Sequence, residues 1–319
     1  MTAHDHSAAP GRRPPSLLEQ GPWALRWRET KVALLQAERL LRWAAQPARW
    51  PAPQVGSDAA AFPHLVWERR LPLRRSDGAE TAVLEEGKRV NLALAAPAFD
   101  GLVLSAARPL SFWRTLGRVS AGRGFHAGME LRGGCIVPAL GGGLCLLSNA
   151  IFVAAVELGW TILERHGHTL EAVPPPPDEL WGLDATVFWP YVDLRVAPPE
   201  GTRAWLRVAV EGDELRLRVF AESPRAWRVT LRAEGDRVEE QDGERLRHSR
   251  VLRRIEDLAT GALVAEELVA VNRKRLLHQH EQQRSCLTCG EAACAARPAL
   301  LRSQEPLRRR GWRSLPVLR

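Results

Sequence analysis

The segment GGGLCLLSNAIFVAAVELGWTILERHGH, residues 141–168, contains Cys145, the candidate functional centre of this 319-residue chain. Its three leading glycines permit tight turns and close backbone approach. Residues 146–158 are apolar enough to form a buried helix, and Gly159 stands where a helix C-terminal cap is expected. Residues 160–165 have the composition of a strand. The segment therefore predicts a glycine turn, a buried helix and a returning strand.

Cys145 ends the glycine turn, directly before the predicted helix. The first N–H groups of a helix lack internal partners and carry partial positive charge, so a thiolate there is stabilised and its pKa falls. Gly141, Gly142 and Gly143 let backbone N–H groups approach a substrate, as an oxyanion-binding turn requires. Cys145 is therefore our candidate nucleophile. The alternative is that it only fills space beneath the helix.

A candidate base follows from the lengths of the same elements. The helix carries the chain roughly 20 Å from Cys145, at about 1.5 Å per residue. The strand returns it by roughly 20 Å, at about 3.3 Å per residue, which brings His166 and His168 back to the cysteine. We therefore predict a cysteine–histidine pair in which Asp184 or Asp193 orients the imidazole. The alternative places both histidines on a loop without a catalytic role.

The order and spacing of these residues resemble the VanW-like family, which is named after an accessory protein of a vancomycin-resistance operon. The motifs that carry the resemblance are Asn91–Leu92, Ser111–Phe112–Trp113, Gly124, GGGLC at 141–145, Leu147–Ser148–Asn149, ERHGH at 164–168, DATV at 184–187 and YVDLR at 191–195. The resemblance covers residues from about 87 to 198, and more loosely the region up to residue 272. Its link to glycopeptide resistance implies chemistry on cell-wall precursors or the cell envelope.

Within this resemblance, His168 matches the second histidine of the family's ERHxH motif. One departure concerns the residue after the motif cysteine, where the family usually has glutamine and this chain has Leu146. Papain-like enzymes use a glutamine near the nucleophile to bind the oxyanion. The departure implies either that backbone N–H groups take that role here or that the chain is a non-catalytic member.

Two functions are compatible with these residues. The first is a cysteine-dependent enzyme that acts on an amide or peptide bond of an envelope precursor, with Cys145 as nucleophile, His168 as base and Asp184 as orienting group. The second is a non-catalytic accessory protein whose glycine turn and helix N-terminus hold an anionic ligand such as a phosphate or carboxylate. The residues predicted to contact a ligand are Gly141, Gly142, Gly143, Arg165, His166 and Asp193.

A second cysteine pattern lies near the C-terminus. Cys286, Cys289 and Cys294 form C-x2-C-x4-C within SCLTCGEAAC. A two-residue spacer lets two thiolates reach one metal, so we predict a zinc-knuckle-like site. Closed zinc sites need four ligands, and His280 or His278 is the candidate fourth. An iron–sulfur cluster with an external ligand is one alternative, and a group of reduced thiols without metal is another.

The overall prediction is an α+β fold. The predicted regions are a helical lead-in at 23–60, the VanW-like core at 61–199, an antiparallel β region at 200–275, the Cys-rich segment at 276–296, and disordered termini at 1–22 and 297–319. The predicted helices are 23–50, 88–96 and 146–158; the predicted strands are 62–73, 160–165, 185–189, 205–210, 214–220, 228–233, 246–255 and 263–271; and the predicted hairpin turns are 211–213 and 234–236.

Composition narrows the class of protein further. The net charge of +8 comes from arginines scattered among acidic residues, with only three lysines, which favours a mixed-charge surface over nucleic-acid binding. No apolar run reaches the length needed to span a bilayer, and the N-terminus lacks the apolar core of a secretory signal. Five cysteines without an export signal favour reduced thiols or metal ligands over disulfides. We therefore expect a cytoplasmic protein that binds a small molecule or peptide.

Overall fold

A computed structural model of the protein describes residues 22–50, 54–56, 59–74, 79–132, 135–171, 180–241, 244–276 and 284–285. The helices are α1 (Pro22–Ala45), α2 (Ala79–Phe99), α3 (Phe112–Leu116) and α4 (Cys145–Glu157). The strands are β1 (His64–Pro72), β2 (Val103–Leu104), β3 (Leu110–Ser111), β4 (Ala127–Arg132), β5 (Cys135–Leu140), β6 (Thr161–Glu164), β7 (Leu170–Glu171), β8 (Arg195–Ala197), β9 (Ala204–Glu211), β10 (Glu214–Ala221), β11 (Trp227–Gln241), β12 (Glu244–Asp257), β13 (Leu263–Leu276) and β14 (Arg284–Ser285). The predicted α+β fold is confirmed.

The central element is α4, which confirms the predicted buried helix. Its side chains are buried on all sides between Leu146 and Val156, and it packs against β6, β8, β10 and β11. A helix that is apolar all round must be enclosed by other elements. The helix ends at Glu157, two residues before Gly159, which has a φ of +74°, and the N–H of Trp160 donates to the carbonyl of Ala155. This is the C-terminal closure that the glycine predicted.

One face of α4 is covered by a four-stranded antiparallel sheet of order β1-β10-β9-β2. Buried and partly exposed residues alternate along β10, as expected for a sheet with one face on the core. The predicted hairpin turn at 211–213 is confirmed, because Glu211 pairs with Glu214 and Gly212 has a φ of +61°. The sheet joins β1 to two strands that follow residue 200.

A second sheet is built from the long antiparallel strands β11, β12 and β13, with β7 added in parallel at the end of β13. The predicted hairpin turn at 234–236 is wrong. Strand β11 continues through a bulge between Glu234 and Arg237, and Gln241 at its end still pairs with Glu244. Gly235, with a φ of +60°, supplies the backbone conformation that the bulge needs, so a turn-like sequence sits inside a strand.

Two small sheets complete the described fold, with orders β14-β5-β4 and β3-β8-β6. The predicted strand at 185–189 is wrong, since these residues join no ladder apart from an isolated bridge between Phe188 and Val192. The backbone of Ala185 instead bonds to side chains of α4, and the N–H of Thr186 donates to the carbonyl of His166. The predicted helix at 88–96 extends over the whole of α2, and α1 stops at Ala45, just before Pro47. No helix among the described residues is long and apolar enough to cross a membrane.

Candidate functional site

The glycine turn is held by close contact with β4. A Cβ on Gly142 would lie 2.3 Å from the carbonyl carbon of Gly128, so only glycine fits there. Asn91 on α2 joins the same two segments: its Nδ2 donates to the carbonyl of Gly142 at 3.0 Å, and its Oδ1 accepts from the N–H of His126 at 2.8 Å. These contacts fix the turn that leads into α4, and they give a structural reason for the Asn91 motif.

Gly143 brings the turn onto α2. Its φ is +94°, and an added Cβ would lie 2.3 Å from Cγ of Lys88, a buried lysine. The next residues close the first helical turn, because the N–H of Leu146 donates to Gly143 and that of Leu147 to Leu144. Within the described chain, no backbone carbonyl accepts from the N–H of Cys145. The cysteine thus begins α4 with its own amide available.

Strand β6 returns the chain to this point, as the element lengths predict. The imidazole of His168 is a hydrogen-bond partner of the Cys145 side chain. Its Nδ1 lies 2.5 Å from Oδ2 of Asp184, and the same oxygen accepts from the His168 backbone N–H at 2.8 Å. The structure therefore brings Cys145, His168 and Asp184 together in a thiol–imidazole–carboxylate array.

The segment that carries Asp184 is attached to the first turns of α4. Ser148 Oγ donates to the carbonyl of Ala185 at 2.6 Å, and Asn149 Oδ1 accepts from its N–H at 2.7 Å. As a result, Thr186 Oγ1 lies 3.7 Å from the sulfur of Cys145, and the backbone N–H of Val187 donates to that sulfur. Two motifs far apart in sequence thus form one wall of the site.

The second oxygen of Asp184 is bound by two cations. Lys274 Nζ on β13 lies 2.6 Å from Oδ1, and Arg165 Nη2 lies 3.1 Å from it. Arg165 also donates to the carbonyl of Gly182 at 3.0 Å and to Oδ1 of Asn272 at 3.1 Å. Both cations are largely buried, so their charge acts on Asp184 with little screening by water.

These contacts set the protonation of the three groups. Burial alone would raise the pKa of Asp184, but the hydrogen bond to His168 and the charge of Lys274 hold it well below its usual range. Burial would lower the pKa of His168, yet hydrogen bonds to Asp184 and Cys145 raise it to about 9. Burial opposes ionisation of Cys145, but His168 outweighs it and the thiol pKa is lowered. The array therefore shifts Cys145 towards the thiolate and His168 towards the imidazolium.

Comparison with known proteins identifies a domain around this array. Residues 87–220 match the family model described as VanW like protein. The chain carries a VanW-like domain.

The chain is 27% identical over 219 residues to "Vancomycin B-type resistance protein VanW" of Enterococcus faecalis (strain ATCC 700802 / V583), an alignment that covers 68% of this chain and 79% of that protein. It is 31% identical over 105 residues to "Uncharacterized protein YoaR" of Bacillus subtilis (strain 168), covering 33% of each. No solved structure matches significantly. The resemblance predicted from the motifs is confirmed.

The two candidate orienting groups, Asp184 and Asp193, have different surroundings in the VanW-like domain. Asp193 is fully buried and accepts from Ser111 Oγ at 2.5 Å and from the N–H groups of Trp113 and Leu194 at 3.1 and 3.0 Å. Burial raises the pKa of Asp193 to about 7. Asp184, and not Asp193, is therefore the carboxylate in contact with His168.

The other predicted ligand contacts face protein groups. His166 Nε2 lies 3.3 Å from Oε1 of Glu164, which is also bound by Arg39 of α1 at 2.6 Å. Burial opposes ionisation of Glu164, but His166 and Arg39 lower its pKa to about 2. Arg165 is engaged with Asp184, as described above. A ligand role for these residues and for the glycine turn stays a prediction.

Two residues of the site were missed in the sequence. Thr186 stands two positions after Asp184 in the DATV motif, and motif membership was the signal that could have identified it. Lys274 lies on a distant strand, but it is one of only three lysines in a chain with 45 basic residues. A second of these lysines, Lys88, packs against the glycine turn. The rarity of lysine among the basic residues of this chain was therefore a usable signal for residues near the site.

The predicted metal site involves a different part of the sequence. Its ligands Cys286, Cys289, Cys294 and His280 lie outside the described residues. Within the residues that the structure describes, no group of three or more His, Cys, Asp or Glu side chains is placed to hold a metal ion. The prediction of a metal at the C-terminal cysteines therefore stays a prediction.

Proposed function

We propose that this VanW-like protein is a cysteine-dependent enzyme that cleaves or transfers an amide or peptide bond of a cell-envelope precursor. The observation that carries the proposal is the contact of the Cys145 thiol with His168, whose Nδ1 lies 2.5 Å from the ionised Asp184. A nucleophile, a base and an orienting group in this order are the parts that acyl transfer requires.

Each residue has a defined step. The Cys145 thiolate attacks the carbonyl carbon of the substrate, and a C–S bond forms while the carbonyl electrons move to oxygen. The imidazolium of His168 then gives its proton to the leaving amine as the C–N bond breaks, which leaves a thioester. His168 next takes a proton from water, the hydroxide attacks the thioester, and the carboxylic acid product and Cys145 are released. Asp184 keeps the imidazole oriented throughout.

The negative oxygen of the intermediate needs donors. Leu146 stands where the family usually has glutamine, so an amide side chain at that position does not supply one. The N–H of Cys145 lies at the positive end of α4 and is one backbone donor in this proposal. The neighbouring N–H groups of the glycine turn are the other donors in this proposal.

The substrate class rests on the relative named for vancomycin resistance, together with the chemistry of the array. Cell-wall precursors are rich in amide bonds, and a precursor made inside the cell fits the cytoplasmic location predicted from the sequence. A small peptide or peptide-bearing precursor is accordingly the ligand of the proposal.

The alternative is a non-catalytic protein that binds an anion at the glycine turn. Lys88 favours it, because this buried lysine packs its aliphatic chain against Gly143 of the turn. A helix N-terminus beside a lysine is a suitable environment for a phosphate or carboxylate. The thiol's reactivity distinguishes this alternative from the enzyme.

The first test is the pH dependence of iodoacetamide labelling, resolved for each cysteine by mass spectrometry. Cys145 should label with an apparent pKa below the free-thiol value of about 8.5. The variant His168→Ala should raise that value towards a free thiol and slow labelling at pH 7. His166→Ala is the matched control, since His166 contacts Glu164. Slow labelling of Cys145 that His168→Ala does not change would favour the anion-binding alternative.

The second test addresses the substrate. A nucleotide-linked muramyl pentapeptide is incubated with the full chain and with Cys145→Ala, and products are followed by mass spectrometry. We expect products that gain one water or exchange an amine, formed only when Cys145 is present. A reactive Cys145 with no turnover of this probe would reject the precursor assignment and retain the thiolate.

A further inference from the structure

Helix α1 carries an exposed apolar stripe. Four large side chains share one face of the helix and are exposed by 66 to 81%: Trp23, Trp27, Leu34 and Leu41. At about 1.5 Å per residue the stripe is roughly 27 Å long, and its two tryptophans alone expose on the order of 300 Å². A contiguous apolar patch of this size is typical of a protein–protein or membrane interaction site.

The opposite face of α1 is attached to the VanW-like domain. Gln36 Nε2 donates to the carbonyl of Trp189 at 3.1 Å, and Arg39 Nη2 donates to that of Tyr191 at 2.9 Å. The ring of Trp43 packs edge-on against that of Trp189, with centroids 5.7 Å apart. These positions lie about half a turn from the stripe, so the stripe faces away from the domain.

The segment that α1 contacts leads directly to the reactive cysteine. Thr186 Oγ1 lies 3.7 Å from the sulfur of Cys145, and Trp189 is three residues further along the chain. Three residues span at most roughly 11 Å, even when fully extended. A surface that binds the stripe of α1 is therefore close to the site.

The charge of α1 indicates what that surface is. The helix contains five basic and two acidic residues, and its period puts Arg26 on one side of the stripe and Lys31 and Arg42 on the other. The guanidinium of Arg26 lies 5.9 Å from the ring centre of Trp23, and Arg42 pairs with Glu38. Tryptophan with flanking Lys and Arg is typical of helices that lie on anionic lipid. A second copy of α1 carries the same excess of positive charge, whereas anionic headgroups complement it.

We propose that α1 lies on an anionic phospholipid surface, with its apolar stripe among the lipid chains and its basic side chains at the headgroups. The reactive Cys145 is then held at the membrane, where it meets a lipid-linked form of the envelope precursor. This choice of substrate rests on the function proposed above. The binding of α1 to lipid does not depend on that function.

The test is cosedimentation of the full chain with vesicles of phosphatidylcholine and phosphatidylglycerol in equal amounts. We expect binding to these vesicles and much weaker binding to phosphatidylcholine alone. Leu34→Glu with Leu41→Glu should weaken binding about tenfold or more, because two apolar side chains no longer enter the lipid. Arg26→Gln with Lys31→Gln should weaken it about fivefold for each cation removed.

The matched control places the same charges on another exposed apolar pair. Leu263 and Val264 at the start of β13 are 51% and 63% exposed, and Leu263→Glu with Val264→Glu should bind vesicles like the parent chain. Absence of vesicle binding, equal losses in the two glutamate variants, or binding that does not require phosphatidylglycerol would overturn the proposal. A lipid-free dimer that Leu34→Glu with Leu41→Glu abolishes, without vesicle binding, would instead assign the stripe to a second copy.

Iodoacetamide labelling separates this proposal from that of the enzyme. Leu34→Glu with Leu41→Glu should label at Cys145 at the parent rate, since both leucines face away from the domain. A reactive Cys145 in a chain that does not bind vesicles would reject the membrane surface and retain the enzyme. A chain that binds vesicles but labels slowly at Cys145 would retain the surface and reject the enzyme together with its lipid-linked substrate.

Discussion

His168 couples the protonation of two neighbours. Its Nδ1 is bound to Asp184, and the remaining ring nitrogen serves the thiol of Cys145. Because Lys274 and Arg165 keep Asp184 ionised, the carboxylate stabilises the imidazolium, and the imidazolium in turn stabilises the thiolate. The imidazole, whose pKa is about 9, therefore shifts the thiol of Cys145 towards the thiolate. The reactivity of Cys145 should therefore depend on a carboxylate that it does not touch.

The first prediction removes the charge of that carboxylate. In Asp184→Asn the pKa of His168 should fall towards its ordinary value and that of Cys145 should rise. Iodoacetamide labelling of Cys145 at pH 7 should slow by about tenfold for each unit by which the thiol pKa rises above 7. Asp193→Asn is the matched control, because Asp193 is a buried aspartate bonded to Ser111 and away from the imidazole. Equal labelling rates in Asp184→Asn and the parent chain would contradict the coupling.

The second prediction concerns stability and Asp193. Burial raises its pKa to about 7 in the folded chain, whereas an unfolded aspartate has a pKa of about 3.9. The folded state therefore holds a proton that the unfolded state loses, and the free energy of unfolding falls as pH rises between these values. Asp193→Asn has no such proton, so its stability relative to the parent should grow from pH 5 to pH 8, by roughly 3 kcal/mol. Urea unfolding at several pH values measures this difference, and a constant difference would show that Asp193 ionises normally.

At the scale of elements, three backbones cross at the glycine turn. A Cβ on Gly87 of α2 would lie 1.9 Å from the carbonyl oxygen of Ala127, and a Cβ on Gly142 would lie 2.3 Å from the carbonyl carbon of Gly128. Glycine is thus required on each side of β4 because the backbones approach closely there. The requirement does not depend on the φ angle of either glycine. The position of Cys145 is set by how tightly α2, β4 and the turn pack.

The third prediction tests this crossing. Gly142→Ala would force the turn away from β4, so we expect a loss of stability of about 2 kcal/mol or more and a slower labelling of Cys145. Gly122→Ala is the matched control, since the nearest atom to its added Cβ is Ser120 Oγ at 3.9 Å. Thermal unfolding and iodoacetamide labelling measure the two effects. An alanine at 142 that is as well tolerated as one at 122 would contradict the close packing.

The elements differ in how far the sequence reveals them. The continuous apolar run of α4 and the returning strand β6 were enough to predict that His168 meets Cys145. Residues 185–189 also alternate like a strand, but their backbone is bound by Ser148 and Asn149. The periodicity of a sequence indicates which side chains are buried. It does not indicate where side chains bind the backbone in place of a neighbouring strand. The same limit applies to the bulge at Gly235, where one glycine is compatible with a turn or with a continuing strand.

The whole molecule is organised around the two ends of α4. Its N-terminal end carries Cys145, and its C-terminal carbonyls accept from side chains of the second sheet and the residues before it. Arg253 on β12 is fully buried, and its Nη1 donates to the carbonyls of Ala155, Val156 and Trp160 at 3.3, 3.2 and 3.0 Å. A cation at a helix C-terminus is favourable, and here it also joins the sheet to the helix. The long strands after residue 227 therefore hold the helix on which the reactive cysteine stands.

The fourth prediction replaces that cation by a side chain of similar length. Arg253→Met removes the side-chain donor of three carbonyls, of which those of Ala155 and Val156 keep a backbone N–H, so we expect stability to fall by about 2 kcal/mol. Arg254→Met is the matched control, because Arg254 is the next residue, is largely exposed and pairs only with Glu256 at the surface. Such exposed pairs contribute at most about 1 kcal/mol. Urea unfolding followed by tryptophan fluorescence measures both. Because α4 links the second sheet to the cysteine, we expect Arg253→Met to unfold in a single cooperative transition with a lower midpoint. Equal midpoints in the two variants would mean that the sheet and the helix are stabilised independently.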